Sequence, residues 1–271
     1  MAISTLDGVA AGTRQFSPFL KAATATTVVG RPLSLWQVAG VPGPGSFNGT
    51  LAGATLSSAD AGCLTRGNPS SGNSYLHTLA GINAQNPGLL LLVDRLWNNG
   101  GFTITSTGAQ TVSSVTWPTR CPTSATDDTP ATTGHGVLLG MEISTVVGAA
   151  APTITVSYTN SVGTASRTGT ATGASAAVAQ SFFPIGLAAG DLGVRSVQTV
   201  TLSVSWVSGV MNLVAYRVLA SLAIGSTQIQ QLGPLTGGLP RIYDSSCLSL
   251  LWLPSTAASS AFQGGIVETQ G

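Results

Sequence analysis

Apolar and polar residues alternate along much of this chain with a period of two, the spacing of a β-strand that has one buried face. The clearest case is Thr153–Thr159, in which Ile154, Val156 and Tyr158 share a face and hydroxyl residues occupy the other. No stretch shows the spacing of a long amphipathic helix. The pattern therefore predicts an all-β protein.

Turn residues separate the alternating segments, as in an antiparallel sandwich or barrel. Leu89–Trp97 is apolar throughout its first half, which predicts a central strand buried on both faces. Asn98–Gly101 then predicts a tight turn and Phe102–Ser106 a second strand, so that a hairpin forms here. Further strands are predicted at Gln110–Trp117, Gly136–Val147, Thr153–Thr159, Ser196–Trp206, Val210–Ile224 and Cys247–Leu253.

Two local features refine this prediction. The alternation in Ser196–Trp206 slips between Val197 and Val200, which indicates a β-bulge. Ser208–Gly209 is typical of a two-residue hairpin turn and would lead directly into Val210–Ile224.

The first third of the chain differs, because residues 1–86 are rich in Gly, Pro, Ser and Ala and have few periodic runs. Val41–Gly45 reads VPGPG and must be a turn or an extended crossing. Ser74–Gly81 fits either a short helix or a strand. The predicted organisation is an extended Gly/Pro-rich N-terminal arm with short elements (1–86), an antiparallel β-sandwich or jelly-roll-like body (87–254) and a flexible C-terminal tail (255–271).

Charged residues make up 7% of the 271 residues, against about a quarter in an ordinary soluble domain. The formal net charge is +1 and Lys21 is the only lysine, so the sequence predicts no direct nucleic acid binding. A mixed charged surface normally holds soluble copies apart. Its scarcity predicts a building block whose surface is covered by neighbouring copies.

The apolar segments do not predict a membrane protein, because Leu89–Val93 is short and Val210–Ile224 carries Arg217. Met1–Asp7 lacks a basic region followed by an apolar stretch, so no secretory signal is expected.

Three cysteines, Cys63, Cys121 and Cys247, are odd in number, lie far apart and show no metal-ligand spacing. This spacing predicts reduced thiols in a cytosolic assembly compartment and no metal site.

The sequence contains few candidate catalytic residues. Among the nine acidic residues only Asp127 and Asp128 are adjacent, in a polar loop that predicts a solvated turn. A histidine base needs a nucleophile, and the sequence has no GxSxG motif that would provide a serine for either of its two histidines, His77 and His135. His135 lies between two glycines.

Three charged residues stand in otherwise apolar strands: Asp94, Arg95 and Glu142. A buried charge is unfavourable unless it is paired, so a structural ion pair or an interface contact is predicted for them. The sequence thus predicts no catalytic, cofactor-binding or metal-binding residue, and no enzyme.

Several strings together resemble a group of tailed-bacteriophage virion structural proteins, of the capsid decoration or cement kind. They lie between Gly30 and Leu219 and are Gly30–Trp36, Asp94–Gly101, Phe182–Leu187, Gly190–Val197 and Leu213–Leu219. These strings are structural, and the resemblance implies a virion component without implying any catalytic residue.

Within a virion, the absence of a predicted spine helix disfavours the major capsid protein. A β body with an arm suits a capsid decoration or cement protein that binds between capsomers. We expect a homotrimer at three-fold positions, assembled in the host cytoplasm, whose partners are the major capsid protein and copies of itself.

Three alternatives remain at this stage. A tail-tube subunit would use its strands to close a ring. A receptor-binding or fibre module would need exposed aromatic platforms for sugar, for which the candidates are Trp36, Trp97, Trp117, Trp206 and Trp252. A polysaccharide depolymerase would depend on acids such as Asp127, Asp128 or Glu142.

Overall fold

A computed structural model describes residues 3, 5–225 and 228–271. Strands greatly outnumber helices among the described residues, and the described strand pairings are antiparallel. The all-β prediction is confirmed. The elements are α1 (Leu6–Ala11), β1 (Thr13–Lys21), β2 (Leu33–Ser34), β3 (Gly40–Val41), β4 (Ala54–Thr55), β5 (Ser74–Ile82), β6 (Gly88–Asn98), β7 (Gln110–Thr111), β8 (Cys121–Pro122), β9 (Pro130–Ala131), β10 (Val137–Thr145), β11 (Thr153–Asn160), β12 (Arg167–Thr172), β13 (Phe182–Pro184), β14 (Val194–Leu202), β15 (Val210–Ile224), β16 (Gln230–Leu232), α2 (Pro234–Gly237), β17 (Arg241–Ile242), β18 (Leu248–Pro254) and β19 (Phe262–Gln270).

The chain divides into two compact units, which differ from the arm, body and tail expected from the sequence. Unit 1 contains Met1–Ser46, Ser57–Asp94 and Val218–Gly271, and unit 2 contains Phe47–Leu56 and Arg95–Arg217. Each unit has a hydrophobic core of its own. The sequence pattern shows where strands lie but not which of them pair, and pairing decides this division.

Unit 1 is built on a sheet in the order β16-β5-β19-β1-β3, with β17 also paired to β5. In the same unit β18 lies between β6 and β2. The core includes Phe19, Leu79, Leu92, Trp252 and Ile266, each at most 2% exposed. Ser74–Ile82 is a strand, which settles the choice between helix and strand for this segment.

The C-terminal segment is a correction to the sequence prediction. Residues 262–270 do not form a flexible tail but the strand β19, which pairs with β1 on one side and with β5 on the other. Two neighbouring strands satisfy its backbone hydrogen bonds along its length. β1 and β5 are nine residues each, so the predicted arm contributes two long strands to unit 1.

Unit 2 contains a sheet in the order β12-β11-β14-β7, and its β10 lies between β13 and β15. Ile154, Val156 and Tyr158 are fully buried on one face of β11, as the alternation predicts. Ser157 pairs with Thr199 and Tyr158 with Val197, which leaves one extra residue on β14. The predicted bulge is therefore confirmed.

The two predicted hairpins in this unit are wrong. Phe102–Ser106 is a turn rather than a strand, because the side-chain amide of Gln110 bonds both the N–H and the C=O of Thr103, at 2.7 and 3.1 Å. Likewise Ser208–Gly209 does not join two paired strands, since β14 pairs with β11 and β15 pairs with β10.

A disulfide joins Cys63 to Cys247, 184 residues apart in sequence, within unit 1. The prediction of reduced thiols is therefore wrong for these two residues, because spacing along the chain does not reveal proximity in the fold. Cys121 lies outside the disulfide and is buried.

Neither helix, of six and four residues, reaches the length and apolar character of a membrane span, a finding that applies to the described residues.

Candidate interaction surfaces

One face of the β16-β5-β19-β1-β3 sheet is exposed, and we call it the outer face. In β1 the buried residues Ser17 and Phe19 alternate with Phe16, Pro18 and Leu20, which are exposed. Directly paired residues of neighbouring strands share a face, so the register extends this surface across the sheet. The outer face consists of Phe16, Pro18, Leu20, Val41, Thr78, Ala80, Ile82, Gln231, Gln263, Gly265 and Val267.

The outer face is mostly apolar, and its largest apolar side chains are open to solvent. Phe16 is 64% exposed, Leu20 52% and Val41 50%. None of its members is ionisable. Arg14 lies at its end, with Nη1 2.7 Å from Nε2 of His77. An arginine can only donate, so Nε2 of His77 accepts this hydrogen bond, and burial and the charge of Arg14 lower the pKa of His77.

Two adjacent glycines in β19 shape this face. A Cβ on Gly264 would lie 2.6 Å from Cζ of Phe19 on the core side, whereas a Cβ on Gly265 would clash with the ring of Phe16 on the outer face. Glycine in the middle of a strand normally weakens it, and an aromatic ring laid across the bare backbone compensates. Each of these glycines therefore gives room to one phenyl ring.

A cleft of about 370 Å³ opens at one end of the outer face. Leu20, Ile82 and Gln263 form the side that belongs to the face. The other lining residues are Ala23, Ala84, Gln85 and Ser259–Ala261. The lining carries no charged residue and suits one apolar side chain of a partner, as anchor pockets in protein interfaces do.

Unit 2 carries a polar pocket of about 410 Å³. Its lining consists of Arg195 and five hydroxyl residues, Ser114, Thr116, Thr132, Thr133 and Ser196. Nη2 of Arg195 donates to the carbonyl oxygen of Ser161 at 2.8 Å, which orients the guanidinium. Hydroxyl and guanidinium groups are suited to hydrogen-bonding sugars or anions.

Burial removes many of the few charges from the surface. Two buried ion pairs join Arg66 Nη2 to Glu268 Oε2 at 2.8 Å in unit 1 and Arg95 Nη1 to Glu142 Oε2 at 2.7 Å in unit 2. A structural ion pair or an interface contact was expected for Asp94, Arg95 and Glu142, and Arg95 and Glu142 form an ion pair. The seven buried charged residues are Lys21, Arg66, Asp94, Arg95, Arg120, Glu142 and Glu268.

The remaining surface is therefore nearly uncharged. Of the 19 charged residues, 12 are not buried, and the accessible surface of the chain is 10,530 Å². This is on the order of one charged residue per 900 Å², whereas typical soluble proteins have charged residues at about a quarter or more of their surface positions.

The other candidates from the sequence lie in separate elements. Asp127 is exposed in a turn, where its Oδ1 accepts a hydrogen bond from the Thr129 N–H at 3.0 Å. Hydrogen bonds from the side chain and the backbone of Thr129 lower the pKa of Asp127. Asp128 is exposed beside it. His135 is half-buried and its backbone bridges to Gly193. Among the described residues no group of three or more His, Cys, Asp or Glu is placed to hold a metal ion.

The five tryptophans are all buried, at most 1% exposed. Trp206 is in a core, as its alternation predicts, and its Nε1 donates to Ala174 O at 3.1 Å. The tryptophans proposed as sugar platforms are therefore not available on the surface.

A polar cluster around Asp191 was not predicted from the sequence. Its carboxylate accepts from Arg167 Nε at 2.9 Å, from the Tyr158 hydroxyl at 2.5 Å and from Asn160 Nδ2 at 2.7 Å. Hydrogen bonds from Arg167 and Tyr158 lower the pKa of Asp191 to about 2. The side chain of Asp191 is 4% exposed, and the cluster fixes the loop between β13 and β14.

These features define an all-β protein of two units with a nearly uncharged surface and one open apolar sheet face. No model of a known protein family matches the chain, and no curated protein matches it. Among solved structures, the chain aligns with the VP2 subviral particle of infectious bursal disease virus at a TM-score of 0.20 and 9% sequence identity. This alignment covers 99% of this chain and 83% of the VP2 chain. A structure of the Gt strain of the same virus gives a TM-score of 0.18 and 10% identity, covering 96% and 81%. Similarity this low does not establish a shared fold.

Proposed function

We propose that this chain is a structural protein of a virion, and specifically a capsid decoration or cement protein that binds between capsomers. The observation that carries this proposal is the surface, which has 12 charged residues on 10,530 Å². A surface with so little charge does little to keep copies apart, and it suits a protein that works while covered by neighbours. The resemblance of the strings between Gly30 and Leu219 to tailed-bacteriophage virion proteins agrees with it.

Such a protein acts by burial rather than by chemistry. A standard interface of about 1,600 Å² that is a little over half apolar gives, at about 25 cal/mol per Å², on the order of 20 kcal/mol before the unfavourable entropy of association. Contacts of this kind, repeated over a shell, would hold it against internal pressure. The proposal includes the major capsid protein and copies of the chain as partners, a homotrimer at three-fold positions and assembly in the host cytoplasm.

Cryo-electron microscopy of intact particles tests the location. Density for this chain over the capsid lattice, at three-fold positions, supports cement. Density in stacked rings along the tail supports a tail-tube subunit instead, and particles without the chain refute a virion role.

The salt dependence of attachment tests the mechanism. Because few charges are available, the protein is expected to stay on particles between low and high ionic strength. Release into the supernatant at high salt, measured by sedimentation, would contradict attachment by apolar burial.

A receptor-binding module is the second candidate, and the polar pocket around Arg195 favours it. Binding of the isolated protein to an array of host glycans, abolished by Arg195→Ala and not by Arg31→Ala, would support it. Absence of binding on the array would leave the pocket without this role.

A further inference from the structure

We propose that the outer face of unit 1 is the surface on which a second copy of this chain docks. The proposal rests on the proposed function only for its biological setting, since it concerns contact between copies of the isolated protein. Three properties of the face carry it: its size, its lack of charge and the cleft at its end.

The size is that of one side of a small interface. Neighbouring strands lie about 4.8 Å apart and rise about 3.3 Å per residue. The three long strands β5, β19 and β1, of nine residues each, therefore cover roughly 400 Å², and β16 and β3, of three and two residues, extend this to roughly 500 Å². A standard interface buries about 800 Å² on each partner, and two faces of this size give about 1,000 Å² in total, the low end for a specific interface.

The chemistry of the face favours an identical partner. Proteins that must stay monomeric usually place charged residues on exposed sheet surfaces and edges. Here the members of the outer face are uncharged, and Phe16, Leu20 and Val41 are half exposed or more. Two copies can approach without like-charge repulsion, and an exposed apolar patch of this size marks an interaction site. Arg14 lies at the end of the face, outside its apolar centre.

The cleft provides an anchor point within the same surface. It is bounded by Leu20, Ile82 and Gln263, and its volume is about 370 Å³. An apolar side chain of the second copy can enter it, and anchored side chains in such pockets supply most of the affinity of an interface.

The test is the molar mass of the purified full chain over a wide range of concentrations, by sedimentation equilibrium. We expect two or three times the mass of 27.1 kDa at high concentration, with association that persists at high salt because it is apolar. A mass of one chain at every concentration would overturn the proposal.

Substitutions place the contact on the outer face. Leu20→Asp and Leu20→Lys put opposite charges at the same exposed position, and each is expected to raise the dissociation constant at least about thirty-fold, as loss of an interface hot spot does. Val162→Asp is the matched control, because Val162 is 78% exposed and lies in unit 2 between β11 and β12. Circular dichroism establishes that each variant folds.

The outcomes separate this inference from the proposed function. Unchanged association in both Leu20 variants, or an equal loss in Val162→Asp, would overturn docking on the outer face. Association lost only in the Leu20 variants supports it, even if particles are found to lack the chain. Monomeric protein that still decorates particles would overturn this inference and leave the proposed function in place.

Discussion

Lys21 offers the most quantitative prediction from this structure, because it is buried without a charged partner among its hydrogen bonds. The side chain is 2% exposed, and Nζ donates to three carbonyl oxygens, of Val38 at 3.1 Å, Pro42 at 2.8 Å and Gly43 at 3.4 Å. Burial lowers the pKa of Lys21 from 10.5 to about 8. The folded protein therefore loses this proton at a lower pH than the unfolded chain does.

The sign and size of the effect follow from that difference. Between pH about 8 and 10.5 the unfolded chain holds a proton that the folded protein has released, so the free energy of unfolding rises with pH. The slope approaches about 1.4 kcal/mol per pH unit, and the full gain is about 3 kcal/mol. Below pH 8 both states are protonated and Lys21 adds no pH dependence. Burial raises the pKa of Tyr216, which lowers stability above about pH 10.

The assay is urea unfolding at a series of pH values between about 7 and 10, for the protein and for Lys21→Met. The protein is expected to gain about 2 kcal/mol over this range, and Lys21→Met is expected to lack that gain. Lys21 is the only lysine of the chain, so no other lysine can produce the difference. Parallel curves for the two proteins would refute the reasoning.

Three further predictions concern what holds each unit together. Glu268→Ala leaves the buried Arg66 guanidinium without its carboxylate and is expected to lower the free energy of unfolding by about 3 to 5 kcal/mol; the double variant Arg66→Leu/Glu268→Leu should recover much of this in urea unfolding, and a double variant as unstable as the single one would contradict it. Cys63→Ser removes a link across 184 residues and is expected to lower stability by about 2 to 5 kcal/mol, as should a reducing agent added to the unmodified protein; equal melting temperatures with and without reductant would count against the disulfide. Trp206→Ala empties a fully buried position and is expected to lower stability by about 3 to 5 kcal/mol, measured against Val207→Ala, whose side chain is 64% exposed; a similar small loss in both would show that Trp206 is not in the core.

The sequence predicted the structure best for features that depend on the residue pattern within a single strand. Alternation alone placed Ile154, Val156 and Tyr158 on a buried face, and the slip in β14 revealed the bulge. Val210–Ile224 has the same bounds in the structure as in the prediction. The unfavourable energy of unpaired buried charge predicted an ion pair or an interface contact for Asp94, Arg95 and Glu142, of which Arg95 and Glu142 form an ion pair.

Features that depend on distant partners were missed. Phe262–Gln270 contains two adjacent glycines, which resemble a flexible tail until the rings of Phe19 and Phe16 are seen on either side of them. The Cys63–Cys247 bridge depends on a contact between segments 184 residues apart. The outer face exists only through the register of β1, β19 and β5, which no single segment encodes.

The position of β19 also has a consequence for the order of events on the ribosome. β19 contains residues 262–270 and separates β5 from β1 in their sheet. Phe47–Leu56 and Arg95–Arg217, which form unit 2, emerge before it and can fold while synthesis continues, since domains fold as units during translation. The sheet of unit 1 cannot form completely before β19 has been synthesised, because β19 lies between β5 and β1. A chain that has been synthesised only as far as unit 2 therefore cannot present Phe16 beside Val267, and the outer face is incomplete until β19 has left the ribosome.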